Sequence, residues 1–178
     1  MNDTLLEMLR EVRKTKPRVI VAADGMSASG KTTWAEAFTA EHGFSLVHID
    51  DFFPEPGRAR FDVALDLERV LNEVLIPFSH GEKIRFIPFS CQTQVHGDEI
   101  MIQQNDVLVL EGVYSLHPYL RDMYDIKLFF RIDQEEQKRR LLKRNGPVYL
   151  KSFVNEWIPN ENRYFDRYKV SEAADIMY

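Results

Sequence analysis

RVIVAADGMSASGKTT, Arg18 to Thr33, is the stretch whose reading decides the fold. Its first half is a short apolar run rich in β-branched residues, as expected of a strand buried on both faces. Its second half fits G-x-x-x-x-G-K-[ST] at every fixed position, through Gly25, Met26, Ser27, Ala28, Ser29, Gly30, Lys31 and Thr32, with Thr33 following. Small residues let a backbone curl until successive N–H groups point at phosphate oxygens, and the helix beginning at Lys31 adds its unpaired N-terminal donors. In such a loop the lysine reaches the β and γ phosphates and the threonine hydroxyl holds Mg²⁺. A strand, then this loop, then a helix is the context the motif requires. A nucleoside triphosphate carried with Mg²⁺ is therefore the expected ligand.

Outward from this stretch, buried runs alternate with amphipathic ones. A helix is expected over Leu5 to Val12, capped by Asp3 and ended by Pro17. Strands are expected at Phe44–Ile49, Asp106–Leu110 and Asp125–Ile132, with a last short one in Ala174–Met177. Helices are expected from Asp62 through Val74, punctuated by Pro77 and Gly81, from Asp133 to Arg144, and from Tyr149 to Tyr168. Ile84–Phe89 and Glu99–Gln103 suggest an antiparallel excursion. The alternation predicts one three-layer α/β/α domain over residues 1–178, with a mostly parallel sheet of about five strands. Residues 78–104 form the expected excursion and 139–150 a short lid.

Two acidic strand ends supply the remaining chemistry. The second strand runs into Asp50-Asp51-Phe52-Phe53, where a carboxylate beside the phosphate loop can accept a proton from an attacking hydroxyl or hold Mg²⁺. The third ends in Glu111-Gly112, an acid near the metal followed by a residue that lets the chain turn away. Paired aspartates opening a polar loop, or a solvated strand end, are the plain alternatives.

With these segments in place the chain resembles the uridine kinase and phosphoribulokinase group of P-loop kinases, and nicotinamide riboside kinases are similar in pattern. The resemblance is carried by DGMSASGKTT (Asp24–Thr33), HIDDFF (His48–Phe53), RFDVALDLERV (Arg60–Val70), LVLEGVYSLHP (Leu108–Pro118) and ADIMY (Ala174–Tyr178). It implies phosphate transfer from Mg·ATP to a small, nucleoside-like alcohol, with uridine or cytidine the first candidates. Asp50 then matches the general base, Asp51 its neighbour, Lys31 and Thr32 the phosphate and Mg²⁺ contacts, and Glu111 the acid near the metal. Phe53 falls against the acceptor, with Phe89 in the acceptor segment. Arg139, Arg140 and Arg144 fall in the helix leading to the lid, whose arginines grip phosphates, although their spacing from Glu135 and Glu136 also suits surface ion pairs.

The chain departs from the group at Ala28, where many relatives have glycine; alanine is tolerable there if the backbone is not left-handed. It departs again at Pro88-Phe89-Ser90-Cys91-Gln92-Thr93, where uridine kinases carry Tyr-Asp, and in the short Arg144-Asn145-Gly146-Pro147 lid. Nicotinamide riboside, pantothenate and sugar phosphates stay open as acceptors, as does a nucleotide switch or a member without catalysis. An Asn-Lys-x-Asp guanine-reading motif is missing, which argues against a GTPase.

Composition excludes other classes. A net charge of -5 argues against a nucleic-acid partner, which would want a broad basic face, and the single cysteine, Cys91, cannot form an internal disulfide. No stretch is apolar enough for a membrane span, so a cytoplasmic location is the expectation, with the oligomeric state left open. The histidines lack metal-ligand spacing. His48 is expected to pack or hydrogen-bond on its strand, and His96 and His117 to sit at the surface, with contact to the acceptor the other role open to them. Phe153, Trp157, Tyr164, Phe165 and Tyr168 are expected as core or lid packing.

Overall fold

The computed structural model describes residues 2–55, 61–90, 93–103 and 105–178. Arg60, Cys91 and Gln92, named above, lie outside them. Five strands form the central sheet: β1 (Val19–Gly25), β2 (Ser45–His48), β7 (Val107–Glu111), β8 (Ile126–Phe130) and β9 (Ile176–Met177). All four pairings are parallel, in the order β2-β7-β1-β8-β9.

Helices cover both faces. Strand residues alternate between two cores, so that Val19, Val21, Val107 and Val109 meet α1 (Asn2–Arg13) and α2 (Lys31–His42) through Leu5, Leu9, Ala35 and Phe38. On the other face Ile20, Ala22, Leu108 and Leu110 meet α3 (67–80), α4 (Pro118–Arg121) and α6 (Ile158–Tyr168) through Val70, Val74, Phe78, Leu120 and Tyr164. This is the doubly covered parallel sheet that near-continuous apolar strands require.

Several boundaries differ from expectation, each for a local reason. Asp3 lies inside the first turn of α1 rather than capping it. Asp62 does not open α3. The helix begins at Leu67 because the Asp66 side chain accepts the Arg69 N–H, while Asp62 is drawn away to Arg167 and Tyr168. Pro77 lies within the same helical run, directly after a π-helical segment, Val70–Leu75, and the run ends at left-handed Gly81. Ile84–Phe89 breaks into two strands. β3 (Ile84–Phe86) pairs antiparallel with β6 (Ile100–Ile102), and β4 (Phe89–Ser90) with β5 (Val95–His96).

Beyond β8, Asp133 caps α5 (Gln134–Ser152) by accepting the N–H groups of Glu135 and Glu136. Gly146, at φ 78° and ψ 173°, kinks α5, and a π-helical turn, Phe153–Trp157, joins it to α6. No helix among the described residues is long and apolar enough to cross a membrane.

Candidate active site

The order β2-β7-β1 places three loops side by side at the carboxyl ends of adjacent strands: Asp50-Asp51 after β2, Glu111-Gly112 ending β7, and the phosphate loop after β1. Two glycines make the approach feasible. A Cβ on Gly25 would lie 2.2 Å from the Phe130 carbonyl oxygen, and one on Gly112 would lie 2.6 Å from Ile49 Cγ2. Both residues also have positive φ, which side chains resist.

Within the loop, Met26 donates its N–H to the Phe130 carbonyl at 3.0 Å and Ser27 gives its own to Glu161 at 3.0 Å. Ser29 gives its N–H to the Met26 carbonyl at 3.1 Å, so the anion cradle narrows to the donors of Ala28, Gly30 and the first turn of α2. Ala28 sits at φ 61°, so the backbone is left-handed where glycine is the usual residue; the condition for an unstrained alanine is not met. Lys31, only 6% exposed, donates to the carbonyls of Gly25 and Met26 at 2.9 and 3.0 Å. Burial lowers its pKa, and the nearby carboxylates Asp24, Glu161, Glu111 and Asp50 oppose that shift.

The Thr32 hydroxyl lies 3.2 Å from both carboxylate oxygens of Glu111, which is 4% exposed. His48 Nδ1 is 2.6 Å from Glu111 Oε1, and this bond to the carboxylate raises the histidine pKa. Asp50 opens onto solvent yet stands deep among protein atoms. Desolvation first, and then the charge of Glu111, push its carboxyl up to about 6, against the pull of Lys31 and His48. Hard oxygen ligands from Thr32, Glu111 and Asp50 suit Mg²⁺. No cluster of three or more His, Cys, Asp or Glu ready to hold a metal occurs among the described residues, so the ion would enter with phosphate oxygens completing its shell.

Two cavities meet at these residues. The first, about 490 Å³, is lined by Ser27, Ala28 and Gly30–Thr33 of the loop, with Glu111, Arg140 and Lys143 opposite. The second, about 920 Å³, is walled by Asp51, Phe53, Phe89, His96 and Tyr149. Asp50, Arg144, Phe153 and Trp157 line both. A hydroxyl in the second cavity and a phosphate in the first would thus meet at Asp50.

The arginines separate by role. Arg140 bonds Glu136 at 2.7 Å and lies 3.2 Å from the Ala28 carbonyl, while Arg144 bonds Asn145 and stands 6.0 Å over the Phe153 ring. Arg139 instead pairs with Glu136 at 2.6 Å, not with Glu135, and does not line either cavity. His96 lines the second cavity, 2.9 Å from Glu55. His117 is not a surface residue: it is buried, its Nδ1 accepts the Tyr119 N–H, and its Nε2 faces Asp62 at 3.3 Å. Phe153 and Tyr164 are buried as expected of packing, whereas Trp157 is exposed and faces both cavities.

Sequence reasoning passed over Asp24. Fully buried, it accepts from the Gly25, Tyr114 and Leu116 N–H groups at 2.6, 3.2 and 2.9 Å and from the Tyr164 hydroxyl at 2.7 Å. It ties the phosphate loop to the turn after β7 and to α6. A charged residue ending an apolar strand was the available signal. Glu161 and Gln137, which hold Ser27, gave no local signal at all.

No protein-family model matches the chain. It is 30% identical over 151 residues to the uridine kinase of Ligilactobacillus salivarius (strain UCC118), covering 75% of this chain and 68% of that one. It is 29% identical over 145 residues to uridine-cytidine kinase A of Dictyostelium discoideum, covering 73% of this chain but only 28% of that longer protein. Its fold superposes on a possible uridine kinase from Bacillus stearothermophilus with a TM-score of 0.69, at 18% identity, over 98% of this chain and 99% of the other.

Proposed function

Because the chain belongs to the uridine kinase-like family of P-loop kinases, we propose that it transfers the γ-phosphate of Mg·ATP to a hydroxyl of a nucleoside-like acceptor, uridine or cytidine first. It is an ATP-dependent small-molecule kinase. The observation that carries the acceptor reading is Asp50, which belongs to the walls of both cavities. A nucleotide switch has no use for a second, aromatic-walled chamber of about 920 Å³ opening onto its phosphate loop.

In this scheme the acceptor hydroxyl gives its proton to Asp50 as its oxygen bonds the γ-phosphorus, and ADP leaves with the oxygen of the broken bond. Lys31, Arg140 and Arg144 neutralise charge on the transferred group. Bound Mg²⁺, held by Thr32 and, directly or through water, by Glu111 and Asp50, would supply charge to the β and γ phosphate oxygens. Phe53, Phe89 and Tyr149 offer flat apolar surfaces for a base, and Asp51 a partner for a sugar hydroxyl.

The charge of the second chamber bears on the alternatives. Among the described residues lining it, Asp50, Asp51 and Glu156 face Arg144, an acidic excess that disfavours sugar phosphates and pantothenate. A cationic nucleoside such as nicotinamide riboside is the second reading, since aromatic rings and carboxylates both attract a cation. The test is ADP release from Mg·ATP across a panel of uridine, cytidine, nicotinamide riboside, pantothenate and sugar phosphates. Uridine or cytidine should give the greatest stimulation. ADP release unchanged by every nucleoside would sink the acceptor reading.

A further inference from the structure

Ser27 is held at all its polar groups by side chains from the two helices that bracket the lid. From α6, one carboxylate oxygen of Glu161 accepts the Ser27 N–H at 3.0 Å and the other meets the Ser27 hydroxyl. From α5, Gln137 Nε2 donates to the Ser27 carbonyl at 3.0 Å. Glu161 is 3% exposed and Gln137 is buried too. Between them in the chain lie Arg140, Arg144, the kink at Gly146, the π-helical turn and Trp157, which is the whole lid segment and its cavity-facing side chains.

A buried acid here needs an explanation. It makes no ion pair among the described residues, although the charge of nearby Lys31 favours its carboxylate, and it adds negative charge beside a loop built to receive phosphates. An apolar side chain would serve packing without that cost. Among the described residues the carboxylate's only hydrogen bonds are the two to Ser27, and they withdraw the third loop residue from the phosphate cradle while fixing its orientation.

We propose that Glu161 and Gln137 are positioning residues that pin both ends of the lid segment to Ser27, so that filling the phosphate loop and setting the lid are one event. Nucleotide entering the cradle then acts on residues 138–160 through Ser27, in addition to its contacts with Arg140, Arg144 and Trp157, which line the same cavity. This rests on the kinase reading for its purpose, but its test needs no acceptor.

The chain has two tryptophans, Trp34 on α2 against Phe38 and Phe130, and Trp157 in the π-helical turn that follows the lid. A full-length Trp34→Phe chain therefore reports the lid through Trp157 emission, while equilibrium dialysis with Mg·ATP measures binding separately. We expect nucleotide to change Trp157 emission. Glu161→Ala should weaken Mg·ATP about tenfold or more, the loss expected when a charge-assisted bond is removed, and should diminish the emission change at saturating nucleotide to what direct contact with Trp157 produces. Glu161→Gln, whose amide can accept the N–H and donate to the hydroxyl, should restore both to within about threefold. Gln137→Ala should weaken binding by about threefold to tenfold, and serves if Glu161→Ala does not fold. Unchanged affinity and emission in folded Glu161→Ala or Gln137→Ala overturn the proposal, even if the melting temperature falls. Mg·ATP binding without any Trp157 response in the parent also overturns it and leaves the kinase reading standing. No Mg·ATP binding by the parent would overturn both.

Discussion

Thr32 and Glu111 are 79 residues apart in the chain, yet the threonine hydroxyl is 3.2 Å from each oxygen of the carboxylate. Parallel pairing of β1 with β7, in a register that puts Ala23 opposite Glu111, brings them together. This hydroxyl–carboxylate pair is where a metal-bridged triphosphate would be received. Glu111→Gln keeps the shape and removes the charge. It should raise the Mg²⁺ concentration needed for half-maximal ADP binding by about tenfold to a hundredfold, with metal-free ADP binding little changed. A Mg²⁺ titration of nucleotide affinity checks this, and an unshifted midpoint would remove Glu111 from the metal site.

If Asp50 is the proposed base, Asp50→Asn should lower turnover by about a hundredfold to ten-thousandfold while Mg·ATP affinity stays within about threefold, because a base of this kind acts on the acceptor. The pH dependence follows from the sign of its shift. Its carboxyl is pushed up to about 6, so the proton-accepting form is lost as pH falls through that value. The acceptor kcat/KM should rise with unit slope from acid pH and level above about 6, or somewhat lower where Mg²⁺ further favours the carboxylate. A flat profile between about pH 5 and pH 8 would exclude Asp50 as the base.

Ala28→Gly tests the left-handed backbone of the phosphate loop. Relief of a side chain at φ 61° is opposed by the greater freedom glycine gives the unfolded chain. The balance should be a gain of up to about 1 kcal/mol, or about 2 °C in nucleotide-free melting. A loss of that size would show the alanine methyl to be a favourable contact.

Asp24→Asn should be costly without touching nucleotide. Its oxygens accept from three backbone N–H groups and the Tyr164 hydroxyl, and an amide must turn an N–H₂ toward some of those donors. A loss of about 2–4 kcal/mol in urea unfolding is expected, with Tyr164→Phe costing about 1–2 kcal/mol. Unaltered midpoints would mean that the network does not stabilise the turn after β7.

The sequence made the frame of the site legible because its signals are local. Strand runs, the glycine-lysine-threonine spacing and acids at strand ends each lie within a few residues, and the parallel order β2-β7-β1 aligns them. What escaped the sequence depends on distant partners. Ser27 and Glu161 are 134 residues apart, and nothing beside either announces the other. The start of α3 was misplaced for a related reason. Asp62 and Asp66 are equally good caps locally, and the contest is decided by Arg167 and Tyr168 arriving from α6. Ala28 shows the converse, a residue type whose ordinary preference is overridden by the curl of the loop around it.

The β4–β5 hairpin leaves the chain between α3 and β7 and pairs with no strand of the central sheet, yet it supplies Phe89 and His96 to the larger chamber. On the proposed reading, the wall that meets the acceptor is thus outside the central sheet, tied to the segment after β2 by a bridge between Phe52 and Phe89, whereas the groups that handle phosphate are rooted in the sheet. Selection could exchange this hairpin for another of different length or chemistry and leave the phosphate machinery in register. The same seam offers an engineer a place to graft a new specificity.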